Sequence, residues 1–191
     1  KNIHLNGASV IADYIFINDH DRERFAKLPH EYIIEQLQFN GLEYANLGNF
    51  PYSLEYNYLV KALFWFIKIP ENIQRNNFNN YTNINNQNPL IEGKLSFSGY
   101  NRIKESKMRV FNWLQPYYFG KNIPKNGINV YSFGLHYDQF LPKGTFNFSA
   151  AENAELFLNY NLNQTSELYI FGLGYNILKI ESGLGQTFFQ K

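Results

Sequence analysis

Hydrophobic positions recur with a period of two along most of the chain. Ile91, Gly93, Leu95 and Phe97 alternate with Glu92, Lys94, Ser96 and Ser98. Ala154, Leu156, Leu158 and Tyr160 alternate with Glu155, Phe157, Asn159 and Asn161. Successive strand side chains point to opposite faces, so each pattern predicts a strand with one face on a core and one toward solvent. From residue 54 to 68 the even positions (Leu54, Tyr56, Tyr58, Val60, Ala62, Phe64, Phe66) are all apolar. The odd positions change from polar Glu55 and Asn57 to apolar Leu63, Trp65 and Ile67. This segment is expected to enter half-buried and to end covered on both faces, by another domain, a long loop or another subunit.

Eight such segments are expected as strands: 9–18, 32–44, 53–68, 90–98, 108–116, 128–137, 154–162 and 167–180. Turn signals separate them, among them Asn126-Gly127 and the segment from Pro142 to Gly144. A helical turn is expected after Asn18, capped by Asp19 or Asp21 and stopped by Pro29. The pattern therefore predicts an all-β fold, an eight-stranded antiparallel jelly-roll sandwich with a short helix and long loops. Residues 71–88 are asparagine-rich and unpatterned, which predicts a surface loop inside a single domain spanning 1–191.

Composition narrows the function classes. The 191 residues are 45% hydrophobic and 17% charged, which excludes global disorder. The 18 Phe and 15 Tyr favour strands and pleated, half-buried surfaces. A formal net charge of +1 gives no field to recommend direct nucleic-acid contact or a membrane surface. The apolar run from Ala62 to Ile67 has strand length, far short of a membrane span, so no membrane insertion is expected. There is no cysteine, which rules out disulfides, thiolate metal sites and cysteine nucleophiles. The chain begins with Lys1, so a processed protein, a fragment or part of a longer chain is expected.

Candidate chemistry is sparse. His4, His20, His30 and His136 lie far apart, and none belongs to a metal-binding pair. His30-Glu31 lacks the second histidine of a zinc helix. Asp19, Asp21 and Glu23 lack the glycine and spaced oxygen ligands of a calcium loop. Gly172 and Gly174 lie within an apolar alternating run, and Gly183 and Gly185 in a turn or terminal arm, so neither pair opens a nucleotide-binding helix. Glu152 and Glu155 are the nearest carboxylate pair. No catalytic residue, cofactor or metal ligand is assigned, and the chain is expected not to be an enzyme. Asn80, Asn147 and Asn163 match the glycosylation acceptor pattern, and only Asn80 lies in a predicted exposed loop.

Several colinear blocks resemble one family. Residues 10–17, 21–26 and 30–36 look like the start of the C-terminal jelly roll in the major capsid proteins of nucleocytoplasmic large DNA viruses. Val60-Lys61-Ala62-Leu63-Phe64-Trp65 is similar to the family's strand of valine, lysine, leucine and tryptophan. Leu95 to Arg102, Phe111 to Tyr117 with Ile123-Pro124, Ile128 to Leu135, Pro142 to Ser149 with Asn153, and Tyr175 to Gly185 follow in the family's order. Lys143, Ala150 and Glu181 depart from its pattern.

The resemblance implies the second jelly roll of a double jelly-roll protein, whose N-terminal jelly roll lies outside this chain. It implies a homotrimer forming pseudo-hexagonal capsomers that tile an icosahedral shell. The implied partners are neighbouring capsomers and minor capsid proteins. The implied location is the virion capsid, assembled in the host-cell cytoplasm. Within that reading Leu63, Trp65 and Ile67 are the candidate subunit interface, with cover by the chain's own loops as the competing explanation. Two other functions stay open: a related scaffold or minor capsid protein, and a carbohydrate-binding or sugar-cleaving β-sandwich suggested by the aromatic content.

Overall fold

The alternating segments pair with one another almost entirely across long sequence separations. The computed structural model describes residues 7–182 and 184–189. In chain order the elements are α1 (Asp19–Lys27), β1 (His30–Phe39), β2 (Glu43–Ala45), β3 (Gly48–Ser53), β4 (Leu59–Lys68), α2 (Pro70–Gln74), β5 (Leu90–Phe97) and β6 (Tyr100–Lys107). A π-helical turn, Val110–Leu114, runs into α3 (Gln115–Phe119). Then come β7 (Asn129–Ser132), β8 (Phe146–Asn147), a 3-10 turn (Phe148–Ala150), β9 (Glu155–Tyr160), β10 (Ser166–Glu181) and β11 (Leu184–Thr187).

Two antiparallel sheets result. One follows the order β1-β10-β4-β7, with β2 and β11 added on β10 and β8 on β4. The other follows β3-β9-β5-β6. The chain therefore crosses between sheets, and its first long strand lies beside its last, which is jelly-roll connectivity. The core lies between the sheets. It is built from Leu63, Trp65, Ile67, Leu168 and Ile170 of the first and Leu95, Leu156, Leu158 and Tyr160 of the second.

The segment expected as one strand over 53–68 is strand only from Leu59, with Ser53 ending β3. Tyr58, at a φ of 58°, takes the left-handed conformation and ends the first extended run. Ala62 then pairs with Leu173 and Val60 with Gly174, so Lys61 is an extra, bulged residue. The bulge brings the Leu59 carbonyl against Gly174, where a β-carbon would sit 2.1 Å from that oxygen. Only glycine fits there. These two irregularities swap the buried parity. Tyr52, Leu54 and Tyr56 are buried before them, Leu63, Trp65 and Ile67 after them.

That swap corrects the expected interface. Leu63 and Trp65 are 0% exposed and Ile67 1% within this chain alone, because they form the inner face of β4. The Trp65 ring meets Phe111 of the π-helical turn edge-on at 5.3 Å. The opposite face carries Phe64 and Phe66, covered by Tyr137 at 5.5 Å and by Tyr81 at 4.4 Å between ring centroids. Both of those partial covers come from loops of this chain, while Leu63, Trp65 and Ile67 are buried by the core between its own sheets.

Other expectations shift. Residues 9–18 have no regular secondary structure and are unpaired among the described residues. Residues 108–116 are helical rather than a strand, since Met108, Phe111 and Leu114 recur every third position. The segments at 32–44 and 128–137 hold shorter strands, while β6, β8 and β11 fall outside the expected set and β3 meets it only at Ser53. The expected helix is present, capped by Asn18, whose side-chain oxygen accepts from the Asp21 amide at 2.8 Å. Pro29 follows its last turn.

Candidate assembly surfaces

The residues that sequence singled out for chemistry do not converge. His20 is exposed beside Asp21. His30 stacks on Phe25 at 4.2 Å and its Nε2 lies 2.9 Å from the Phe25 carbonyl. His136 is half-buried in the loop after β7, and His4 lies outside the described residues. No group of three metal-ligating side chains occurs among the described residues. Glu152 is a turn residue whose carbonyl accepts from Ser98, and Glu155 begins β9. Gly172 packs against the Tyr56 ring, and Gly174 serves the bulge. Gly183 lies outside the described residues, and Gly185 sits in β11.

The 71–88 loop is largely exposed but tied down by three buried polar side chains. Asn72, Thr82 and Asn88 are buried. The Asn72 amide donates to the carbonyls of Asn80 and Thr82, at 3.1 and 2.8 Å. Asn80 is half-buried, and its side-chain oxygen accepts from the Thr82 hydroxyl at 2.6 Å and the Thr82 amide at 3.1 Å. Its own amide faces the Asn72 oxygen at 3.4 Å. Asparagine supplies these bonds because its side chain both donates and accepts.

Two groups of exposed apolar side chains stand out. The first is the arm at 7–17 with its neighbours. Val10, Ile11, Tyr14, Ile15 and Phe16 are each at least 80% exposed. Phe25 and Leu28 at α1, and Tyr32, Ile33 and Leu37 on β1, are exposed too. Since β1 ends its sheet, its outer edge is unpaired among the described residues. The second is the helical segment after β6. Trp113 is half-exposed and stacks on Tyr117 at 5.5 Å, with Leu114 and Tyr118 exposed beside them. Leu135, Phe140 and Leu141 in the β7–β8 loop are exposed as well. Contiguous apolar and aromatic surface of this kind marks interaction sites. Sequence reading missed the Trp113 surface because it took 108–116 for a strand. The third-position spacing was the available signal.

Ionic contacts fix the frame behind these surfaces. Lys61 on the β4 bulge is buried, and its ammonium meets the Glu35 carboxylate of β1 and, at 3.1 Å, the Gln139 carbonyl. It also lies 5.0 Å from the Tyr175 ring centre. In the second sheet Lys107 and Asn159 donate to Glu92 at 2.6 and 3.1 Å. Those bonds hold the Glu92 carboxyl below the usual carboxylate range and raise the Lys107 ammonium. Burial pushes the Tyr52 hydroxyl up to about 12.

Residues 21–186 match the family model described as large eukaryotic DNA virus major capsid protein. The major capsid protein of Pyramimonas orientalis virus is 30% identical over 204 residues, covering 95% of this chain and 48% of that protein. That of Paramecium bursaria Chlorella virus 1 is 29% identical, covering 97% of this chain and 57% of that protein. A solved structure, the PBCV-1 virus capsid quasi-atomic model, superposes with a TM-score of 0.81 at 27% identity. It covers 93% of this chain and 56% of that one. The chain thus spans about half the length of the curated relatives it matches.

Proposed function

The chain belongs to the major capsid protein family of large eukaryotic DNA viruses, and from that premise we propose that it is a structural tile of an icosahedral shell. The observation that carries this reading is a coincidence of two things in the same residues. The jelly-roll strand order and the family match both run through nearly the whole chain. The role is structural rather than enzymatic. It needs a rigid sandwich and surfaces that partners cover.

In this reading the chain is the second jelly roll of a double jelly-roll protein. The arm at 7–17 has strand composition and almost no cover, as expected of a strand completed by a preceding domain. The Trp113–Tyr118 surface meets a neighbouring subunit in a homotrimer or between capsomers. Minor capsid proteins are further partners. The product resides in the virion capsid after assembly in the host-cell cytoplasm.

Purified mature virions provide the test. The polypeptide carrying this sequence is expected at high copy number, with an intact mass well above the 22.5 kDa of these residues. Presence only in immature particles would instead assign a scaffold, and low copy number a minor capsid component.

A further inference from the structure

The inner face of β1 and β10 changes character toward one end of the sandwich. Leu168 and Ile170 lie in the core. The next positions on the same face of β10 are Gly172, Gly174 and Asn176, opposite Gln38, Gln36 and Ile34 of β1. Gln36, Gln38 and Asn176 are amides where a sandwich core asks for apolar side chains, because bare backbone meets them there. The Gln38 side chain donates to the Asn57 carbonyl and accepts from the Asn57 N–H, both at 2.8 Å. Asn176, only 2% exposed, does the same to Phe189. Its Nδ2 donates to the Phe189 carbonyl at 2.8 Å, and its Oδ1 accepts from the Phe189 N–H at 3.0 Å. The Nδ2 also donates to Gln36 Oε1 at 2.7 Å, which ties the arrangement to β1. A side-chain amide that donates and accepts in this way stands in for a neighbouring strand.

Residue 189 is held through its side chain as well. The Phe189 ring stacks on Tyr58, 4.5 Å between centroids and 27° between planes. A hollow of about 120 Å³ lies beside the two rings, lined also by Gln36, Gln38, Asn57 and Thr187. The two segments held by amides differ in attachment. Asn57 sits between β3 and β4 and is anchored from both sides. Residues 184–189 form a strap that reaches the site through β11, which pairs with residues 178–181 of β10 and with no other strand among the described residues. Leu184 and Phe188 are 76% and 61% exposed, and Gly185 and Gln186 are exposed too. The strap therefore buries little of itself. Beyond β11 its hold is concentrated at Asn176, at Tyr58 and at the Phe188 N–H, which donates to the Ile177 carbonyl at 2.7 Å. Without the strap, the buried Asn176 amide loses its two bonds to Phe189, a cost that favours refilling by a segment of the same form.

We propose that Tyr58 and Asn176 form a binding site for one aromatic residue of an extended peptide, that residues 184–189 fill it within the chain as a latch, and that the same strap of a second copy can replace them. The chemistry defines the ligand. Asn176 takes the N–H and C=O of one residue, Tyr58 takes an aromatic ring, and the backbone before it is extended so as to follow β10. The lining residues are all uncharged, so binding is expected to be insensitive to salt. The site is built by this chain alone, whether or not the chain tiles a shell.

The test uses the full 191-residue chain carrying Phe188→Pro and Phe189→Ala, which frees the strap from the Ile177 carbonyl and from Tyr58. The fluorescein-labelled peptide Leu-Gly-Gln-Thr-Phe-Phe-Gln-Lys, the sequence of residues 184–191, is titrated against it by anisotropy. Saturable binding is expected, roughly tenfold or more tighter than to the parent chain, whose tethered strap competes at millimolar effective concentration. Alanine in place of the peptide's second phenylalanine is expected to weaken binding about tenfold, the loss of one aromatic contact. Adding Asn176→Leu to the chain is expected to abolish it. Hydrogen exchange gives a second reading that needs no vacant site. Tyr58→Asn removes the ring while keeping a residue tolerant of the left-handed conformation. It is expected to speed exchange of the Phe188 and Phe189 amides about tenfold, while amides of the β4–β10 ladder keep their rates. No saturable binding, equal affinity for the parent and released chains, or an alanine peptide that binds as tightly overturns the proposal. So does exchange unchanged by Tyr58→Asn.

Discussion

Lys61 occupies an unusual position for an ammonium group. It is the extra residue of a bulge, its side chain is 3% exposed, and its partner Glu35 is 35% exposed on the neighbouring long strand. Desolvating a lysine costs several kcal/mol unless its partners repay it. Here they are a carboxylate, a carbonyl and a ring face. Removing only Glu35 therefore leaves a buried charge. Glu35→Leu is expected to lower unfolding free energy by about 2–3 kcal/mol, less than for a fully enclosed pair because Glu35 is partly solvated. The double variant Lys61→Met with Glu35→Leu is expected to recover most of that loss in urea denaturation. Trp65 tests the corrected parity. Trp65→Ala is expected to cost about 3–5 kcal/mol in the isolated chain, as deletion of a fully buried aromatic does. An isolated chain of unchanged stability would return Trp65 to an interface.

At the scale of elements, the alternating pattern was legible wherever a strand has one neighbour sheet to face. The strands β5, β9 and β10 lie within two residues of the segments expected at 90–98, 154–162 and 167–180. It failed where another constraint decided. The arm at 9–18 has strand chemistry but no partner among the described residues, so pattern alone named an element that pairing does not complete. The 53–68 segment hid a left-handed residue and a bulge, and neither Tyr58 nor Lys61 announces such geometry by type. The exposed Trp113 surface went unseen for a related reason: a short apolar run suits a strand or a helix until the partner is known.

The sheet β3-β9-β5-β6 carries its own pH response. Glu92 of β5 accepts from Lys107 of β6 and Asn159 of β9, so one carboxylate joins three strands. Its pKa is lowered on folding, so its contribution is full above the unfolded carboxylate value of about 4.3 and is lost as pH falls through the lower, folded value. Glu92→Gln is expected to flatten the fall in melting temperature between about pH 5 and 3, measured against the parent chain. Equal acid sensitivity in the two proteins would remove Glu92 as the cause. Lys107, raised on folding, adds the opposite limb: its share is present below its unfolded value near 10.4 and fades as pH rises through the folded one.

For the whole molecule, the division between buried core and exposed aromatic surface separates folding from association. Trp113 and Tyr117 stack on one another outside the core, while Phe111, in the same helical segment, is fully buried. Replacing Trp113 and Tyr117 with serine is thus expected to leave the monomer's melting temperature within a few degrees. In the full polypeptide the same pair is expected to reduce self-association about tenfold or more by light scattering, since large aromatics dominate interface energetics. Undiminished assembly would remove this surface from the subunit contacts.

The sixteen-residue strand β10 lies between β1 and β4 and also pairs with β2 and β11. On a ribosome, then, the first long strand waits for the last. Until residues 166–181 have emerged, β1 and β4 have no common neighbour, and the edge of β4 that pairs with β10 lies open. Such a chain closes late and all at once, and its apolar surfaces stay exposed throughout synthesis. Crowded production of many copies therefore places its greatest demand on chaperones before release, rather than during assembly.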